Sequence, residues 1–172
     1  AMDRNFHEQH IAVQPLPFWS LDESYPMING RGYPDTVNPD PLPTPQTLLA
    51  FGANWPSSQK VSSLVTAKVG QRILLRMSNV SVSDFHTLTV LGIPMRIVGK
   101  DARLLRGPAP NNRDLSYQTT SVTLGGGETT DAILTTTGLA PGTYFIYDAR
   151  LNHLNNDQQE YGGIMTEIRL TP

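Results

Sequence analysis

The sequence predicts an all-β fold, a Greek-key sandwich or barrel, on the strength of three observations. Apolar and polar residues alternate with period two through much of the chain from residue 60 onward, as in strands with one buried face. No long stretch shows the i, i+3, i+4 apolar spacing of an amphipathic helix. Glycine and proline, 14 of each in 172 residues, supply turns between short strands. Short strands without interleaved helices are typical of antiparallel sandwiches and barrels.

The alternation and the turn residues place the strands in order along the chain. Ile73, Leu75 and Met77 share one face of a strand predicted over 71–78. The glycines at 125–127 indicate a hairpin turn before the next strand, and Ala140-Pro141-Gly142 indicates a tight turn before another. The predicted strands are 25–29, 61–68, 71–78, 85–91, 94–99, 116–124, 128–136, 142–148 and 163–170.

Several segments are predicted to lie outside the sheets, although the whole of 1–172 is expected to form a single domain. Residues 1–24 are predicted to be an extended N-terminal segment. Residues 34–58 are rich in proline, which lacks an N–H donor, so this loop is predicted to wrap the sandwich in extended conformation. Residues 101–115 are predicted to form a mobile basic loop, and residues 149–162 a polar one.

Charge, hydropathy and cysteine content exclude several classes of protein. A net charge of -2 provides no field that attracts nucleic acid, so no nucleic-acid partner is expected. No apolar run approaches the ~18 residues that span a bilayer, and the N-terminal residues contain no hydrophobic secretion signal. Ala1 before Met2 has the form of a cloning remnant, which predicts a chain taken from a longer protein. The absence of cysteine excludes disulfides, thiol nucleophiles and thiolate metal sites.

Five segments, in order, resemble the cupredoxin domains of multicopper oxidases. They are 28–36 (similar to INGxxYPDT), 69–79 (GDRVRIRLxN), 84–101 (the HxxHxHG strand and the strand after it), 140–153 (PGTYxxHCHxxxH) and 161–166 (GGMMT). The order and spacing of the five segments are more specific than any one of them. This resemblance implies a cupredoxin-like β-sandwich.

The same resemblance assigns residues to the positions of the family's copper ligands. It places His86 and His153 at the two type 1 copper histidines, and Asp148 at the cysteine. Residues without an imidazole stand where the family has the histidines of its trinuclear cluster: Thr89, Leu91, Tyr147 and Ala149. Blue copper requires a thiolate. The resemblance therefore implies a cupredoxin domain that has lost its copper chemistry, like the copper-free middle domain of a three-domain oxidase.

His86, Asp148 and His153 are expected to converge, because the family places these positions around one metal. Two interpretations of the group stay open. Two imidazoles and a carboxylate are suitable ligands for zinc, copper(II) or iron(II). Alternatively, Asp148 accepts hydrogen bonds from the histidines and no metal binds.

Three arginines of the basic loop form a second candidate site: Arg103, Arg106 and Arg113. They are predicted to face a partner domain or an anionic substrate, with a solvated loop as the alternative.

The predicted function is that of a copper-free cupredoxin-like domain of a multicopper oxidase, with a structural, interdomain or substrate-side role and no catalysis by the domain alone. The resemblance implies copper in the parent oxidase only, neighbouring cupredoxin domains of the same polypeptide or oligomer as partners, and a periplasmic or extracellular location. One alternative is a mononuclear metal-binding protein or enzyme that uses His86, Asp148 and His153. A second alternative is a free-standing ligand-binding or adhesion sandwich.

Overall fold

The computed structural model describes residues 23–44, 46–50, 52, 57–157 and 159–172, and the regular structure in these residues is mostly β. The strands are β1 Leu42–Pro43, β2 Ser57–Ser58, β3 Val65–Lys68, β4 Arg72–Ser78, β5 His86–Val90, β6 Met95–Lys100, β7 Arg103–Leu104, β8 Tyr117–Thr119, β9 Ser121–Leu124, β10 Thr129–Thr135, β11 Gly142–Asp148 and β12 Met165–Thr171. A short helix, α1, covers Gln46–Ala50, and 3₁₀ turns cover Asp35–Val37 and Leu151–Leu154. No helix in the described residues has the length and apolar character needed to cross a membrane.

Two five-stranded sheets form the body of the protein. The first has the order β4-β10-β6-β7, with β8 also paired to β6, and all of its pairs are antiparallel. The second has the order β3-β12-β11-β5-β9. Its pairs are antiparallel except for β3 and β12, which run parallel. β1 and β2 pair with each other in a separate ribbon.

The inward faces of the two sheets meet in a common apolar core. The first sheet contributes Ile73, Met95, Ile97, Ala132 and Leu134. The second contributes Val90, Val122, Leu124, Ile146, Ile168 and Leu170. Burial of these side chains is the main favourable contribution to folding. The predicted all-β sandwich is confirmed.

Two predicted strands differ from the observed ones. The strand predicted over 25–29 is absent: Ile28 forms only an isolated bridge with Arg31. Positive φ angles at Asn29 (51°) and Gly30 (79°) turn the chain back at this point. The strand predicted over 116–124 is in fact two strands, since β8 pairs in the first sheet and β9 in the second. The Thr119 hydroxyl donates to the carbonyl of Ser121 at 2.8 Å across the bend between them.

The proline-rich segment 34–58 is not extended throughout, in contrast to the prediction. Its described residues contain the first 3₁₀ turn, the β1–β2 ribbon and α1. The 3₁₀ turn packs on β12, where the Thr36 hydroxyl donates to the carbonyl of Met165 at 2.7 Å. Proline removes N–H donors from sheet ladders, but it is compatible with turns and with short ribbons at an edge.

Candidate metal centre

His86, Asp148 and His153 meet at one end of the second sheet. His86 is the first residue of β5 and Asp148 is the last residue of β11. Because β5 and β11 are antiparallel neighbours, their register brings these two ends together. His153 lies in the 3₁₀ turn that follows β11, and its carbonyl accepts from the N–H of Ile164 at 2.8 Å. The fold therefore brings all three residues to the same end of the sheet.

The two histidines share one oxygen of Asp148. His86 Nδ1 lies 2.8 Å and His153 Nδ1 2.7 Å from Asp148 Oδ2, and the two Nδ1 atoms are 3.2 Å apart. The residues are 9%, 2% and 0% exposed for His86, His153 and Asp148. Two imidazole nitrogens and one carboxylate oxygen thus face a common point inside the protein, and the three residues do converge.

Asp148 is held as a carboxylate by its surroundings. Burial acts to raise the pKa of Asp148, but hydrogen bonds from His86 and His153 outweigh burial and lower this pKa below its ordinary value. The other oxygen, Oδ1, accepts from the backbone N–H groups of Thr87 at 3.2 Å and Arg150 at 3.0 Å. An ionised carboxylate only accepts hydrogen bonds, so each Nδ1 must donate to it when no cation is present.

Asp84 extends the cluster on the side of His153. Its Oδ2 lies 3.3 Å from His153 Nε2, and its Oδ1 accepts from Arg150 Nη1 at 2.6 Å. Burial acts to raise the pKa of Asp84, but Arg150 and His153 outweigh it, so the pKa lies below its ordinary value. Neither Asp84 nor Arg150 was predicted as a site residue from the sequence.

Glu23 extends the cluster on the side of His86. Its Oε2 lies 4.0 Å from His86 Nε2, and its side chain is 3% exposed. The other oxygen, Oε1, accepts from the hydroxyls of Ser81 at 2.5 Å and Ser83 at 2.6 Å. Glu23 was also missed, and the two serines that hold it give no pattern in the sequence by which it could be found.

Acid is expected to destabilise the fold through this cluster. The folded-state pKa values of Asp148 and Asp84 lie below the unfolded value of about 4. Their contribution is therefore fully present above about pH 4 and is lost as pH falls through the folded values. Asp148→Asn should be less stable at neutral pH and should lose less of its remaining stability between about pH 5 and about pH 2. Urea unfolding across that range measures both effects, and an equal acid loss in variant and wild type would contradict the expectation.

The arginines of the basic loop lie apart from the histidine cluster, on the first sheet and its loop. Arg103 is in β7, at the edge of that sheet. The backbones of Arg106 and Asp114 form an isolated antiparallel β-bridge. The carbonyl of Arg113 accepts a hydrogen bond from the N–H of Gly107 at 2.7 Å. All three arginine side chains are exposed. Their role at an interface stays a prediction.

The donor set does not fit the copper centres of multicopper oxidases. Blue copper combines two imidazoles with a soft thiolate, whereas the chain has no cysteine and the third donor here is the Asp148 carboxylate. The positions that the resemblance assigns to the trinuclear cluster carry no imidazole: Thr89, Leu91, Tyr147 and Ala149. Neither centre has its donors in this chain.

Comparisons with known proteins identify the family. The family model for multicopper oxidase matches residues 22–166. The crystal structure of the Blue Copper Oxidase from Nitrosomonas europaea is similar over 62% of this chain, with 29% sequence identity and a TM-score of 0.51, and the match covers 30% of that chain. The multicopper oxidase mgLAC has the same fold over 63% of this chain, with 22% identity and a TM-score of 0.52, and the match covers 31% of that chain. No curated protein matches by sequence.

The comparisons agree with the all-β sandwich architecture. The family match runs from before the Ile28–Arg31 bridge into β12 and so includes both sheets. Each of the two solved oxidases is about three times as long as the part it shares with this chain. The chain belongs to the multicopper oxidase family, in which it represents a cupredoxin-like domain.

Proposed function

We propose that this domain carries none of the family's copper centres and contributes to its parent oxidase through structure and contacts. The observation that carries the proposal is the third donor of the site. Where the resemblance places the copper thiolate, Asp148 accepts from both histidines through one oxygen. A carboxylate lacks the soft sulfur on which blue copper depends, so the site is not suited to one-electron transfer.

The proposed partners are neighbouring cupredoxin domains of the same polypeptide or oligomer. The support is that the matched 62% of this chain covers only 30% of the Nitrosomonas europaea oxidase. The exposed arginines of the 101–115 loop and the polar 149–162 loop are the proposed contact regions, on the interdomain or substrate side. The parent would hold copper in other domains, couple substrate oxidation to oxygen reduction, and lie in the periplasm or outside the cell. This part of the proposal rests on family resemblance.

The activity of the isolated chain tests the proposal. We expect the copper-saturated chain to consume no oxygen with a phenol or a reduced metal ion as substrate, beyond the rate given by free copper. An intact laccase, assayed in parallel, serves as the positive control. Oxygen uptake that increases with the concentration of the chain, and that is lost in His153→Gln, would show that the domain is catalytic and would overturn the proposal.

A further inference from the structure

The carboxylates of the buried cluster carry more negative charge than the arginine side chain of the cluster can balance. The side chains of Glu23 and Asp148 are 3% and 0% exposed. In the described part of the chain, neither forms an ion pair with a lysine or an arginine, whereas Asp84 pairs with Arg150. Buried carboxylates without a compensating cation are costly, so this cluster needs additional positive charge.

Two polar atoms of the cluster are also left without a partner. His153 Nε2 and Glu23 Oε2 are buried and make no hydrogen bond to the described residues. If each Nδ1 carries the only ring hydrogen, the unprotonated His153 Nε2 lies 3.3 Å from Asp84 Oδ2 and the unprotonated His86 Nε2 lies 4.0 Å from Glu23 Oε2. A lone pair that faces a carboxylate is repelled by it, so hydrogens belong on the Nε2 atoms.

A cation bound between the two Nδ1 atoms and Asp148 Oδ2 would supply the missing positive charge. It would also allow the ring hydrogens to lie on the Nε2 atoms. The ring hydrogens of His86 and His153 would then lie on Nε2 and face Glu23 and Asp84. Histidines that bind a metal commonly donate their other N–H to a carboxylate in this way. The three donor atoms are 2.7, 2.8 and 3.2 Å apart. These separations need only a small expansion, since ligands about 2.0 Å from a tetrahedral ion are about 3.3 Å apart.

We propose that His86 Nδ1, His153 Nδ1 and Asp148 Oδ2 bind one Zn²⁺ ion, oriented by Glu23 and Asp84. Two imidazoles and one carboxylate are a usual zinc donor set, whereas Mg²⁺ and Ca²⁺ take oxygen ligands. Zinc is redox-inactive, so the ion would not transfer electrons; the inference rests on the proposal above that the domain carries none of the family's copper centres, and deepens it. The ion would link β5, β11 and the Leu151–Leu154 turn, in place of a blue copper centre, which requires a thiolate.

Calorimetric titration of the chain with ZnCl₂, together with metal analysis after dialysis, tests this site. Because His7 and His10 are the other two histidines of the chain, His7→Gln/His10→Gln is the background for every variant. We expect one bound zinc per chain and, at about a hundredfold excess over the dissociation constant, a rise in Tm of about 5 to 10 °C. His153→Gln should weaken zinc binding by at least about 100-fold, because it removes one of three protein ligands.

A second variant keeps the test decisive if His153→Gln does not fold. Asp84→Asn preserves the three ligands and should weaken zinc binding about 10- to 100-fold, through the loss of its contact with His153 Nε2. Asp131→Asn makes the same change of charge on the first sheet and should leave the affinity unchanged. Absence of saturable zinc binding would overturn the zinc site, and equal affinity in Asp84→Asn and Asp131→Asn would overturn the orienting role of Asp84. Neither result bears on the proposal of a non-catalytic domain, which the oxygen-uptake assay tests separately.

Discussion

Asp148→Cys is expected to convert the site into a blue copper centre. The three donor atoms form a triangle. His86 Nδ1 and His153 Nδ1, 3.2 Å apart, occupy two of its corners, and the side chain at position 148 occupies the third. Two histidines and a cysteine in a trigonal arrangement are the donor set of blue copper. After addition of Cu²⁺, the variant should develop the intense visible absorption of a copper–thiolate bond, at about one centre per chain, whereas the wild type should not.

Asp148→Ser is the matched control, since it replaces the sulfur by a hydroxyl of similar size. It should remain colourless with Cu²⁺. Both variants lose the Oδ1 atom that accepts from Thr87 and Arg150, so circular dichroism must first show that each is folded. A folded Asp148→Cys variant that binds Cu²⁺ without a blue band would show that the three positions do not have the geometry of a cupredoxin metal site.

Arg31→Met is expected to lower the free energy of unfolding by about 3 to 5 kcal/mol. The guanidinium of Arg31 is 1% exposed and donates to backbone carbonyls in four places: Asp35 at 2.9 Å, Asn38 at 2.6 Å, Asp40 at 2.9 Å and Gln59 at 3.0 Å. Methionine keeps the apolar stem but leaves these partly buried carbonyls without their donors. Urea unfolding monitored by circular dichroism measures the loss.

Arg72→Met provides the control for Arg31→Met. Arg72 is exposed at the start of β4, so its replacement should change the free energy of unfolding by less than about 0.5 kcal/mol. A loss below about 1 kcal/mol in Arg31→Met would mean that water replaces the guanidinium at the carbonyls. In that case the hydrogen bonds of Arg31 to Asp35, Asn38, Asp40 and Gln59 would add little to stability.

The sequence predicts the strands well where alternation and turn residues agree. The strand predicted over 142–148 is β11, bounded by the Ala140-Pro141-Gly142 turn, and the strand predicted over 71–78 begins and ends within one residue of β4. Sequence patterns do not predict the strands correctly where the structure depends on which strand pairs with which. No glycine or proline interrupts residues 116–124, although the chain changes sheets within them. The parallel pairing of β3 with β12 joins distant segments. The Greek-key connectivity stays a prediction.

Some residues of the site could also be predicted from the sequence, and others could not. Resemblance to the family identifies His86, Asp148 and His153, because their spacing within two motifs survives the change of the cysteine to aspartate. Glu23 and Asp84 stand outside the quoted ligand positions, and tertiary packing alone brings them to the Nε2 atoms of the histidines. Carboxylates that orient a ligand have no fixed spacing from it in the sequence, so a motif does not reveal them.

Anomalous diffraction at the zinc absorption edge, from crystals of the zinc-soaked chain, tests most directly whether His86, Asp148 and His153 form one donor set. We predict a single strong peak about 2.0 to 2.2 Å from both Nδ1 atoms and from Asp148 Oδ2. Zinc peaks confined to surface side chains, with the two Nδ1 atoms still hydrogen-bonded to Asp148, would contradict the zinc site and leave the cluster with a structural role alone.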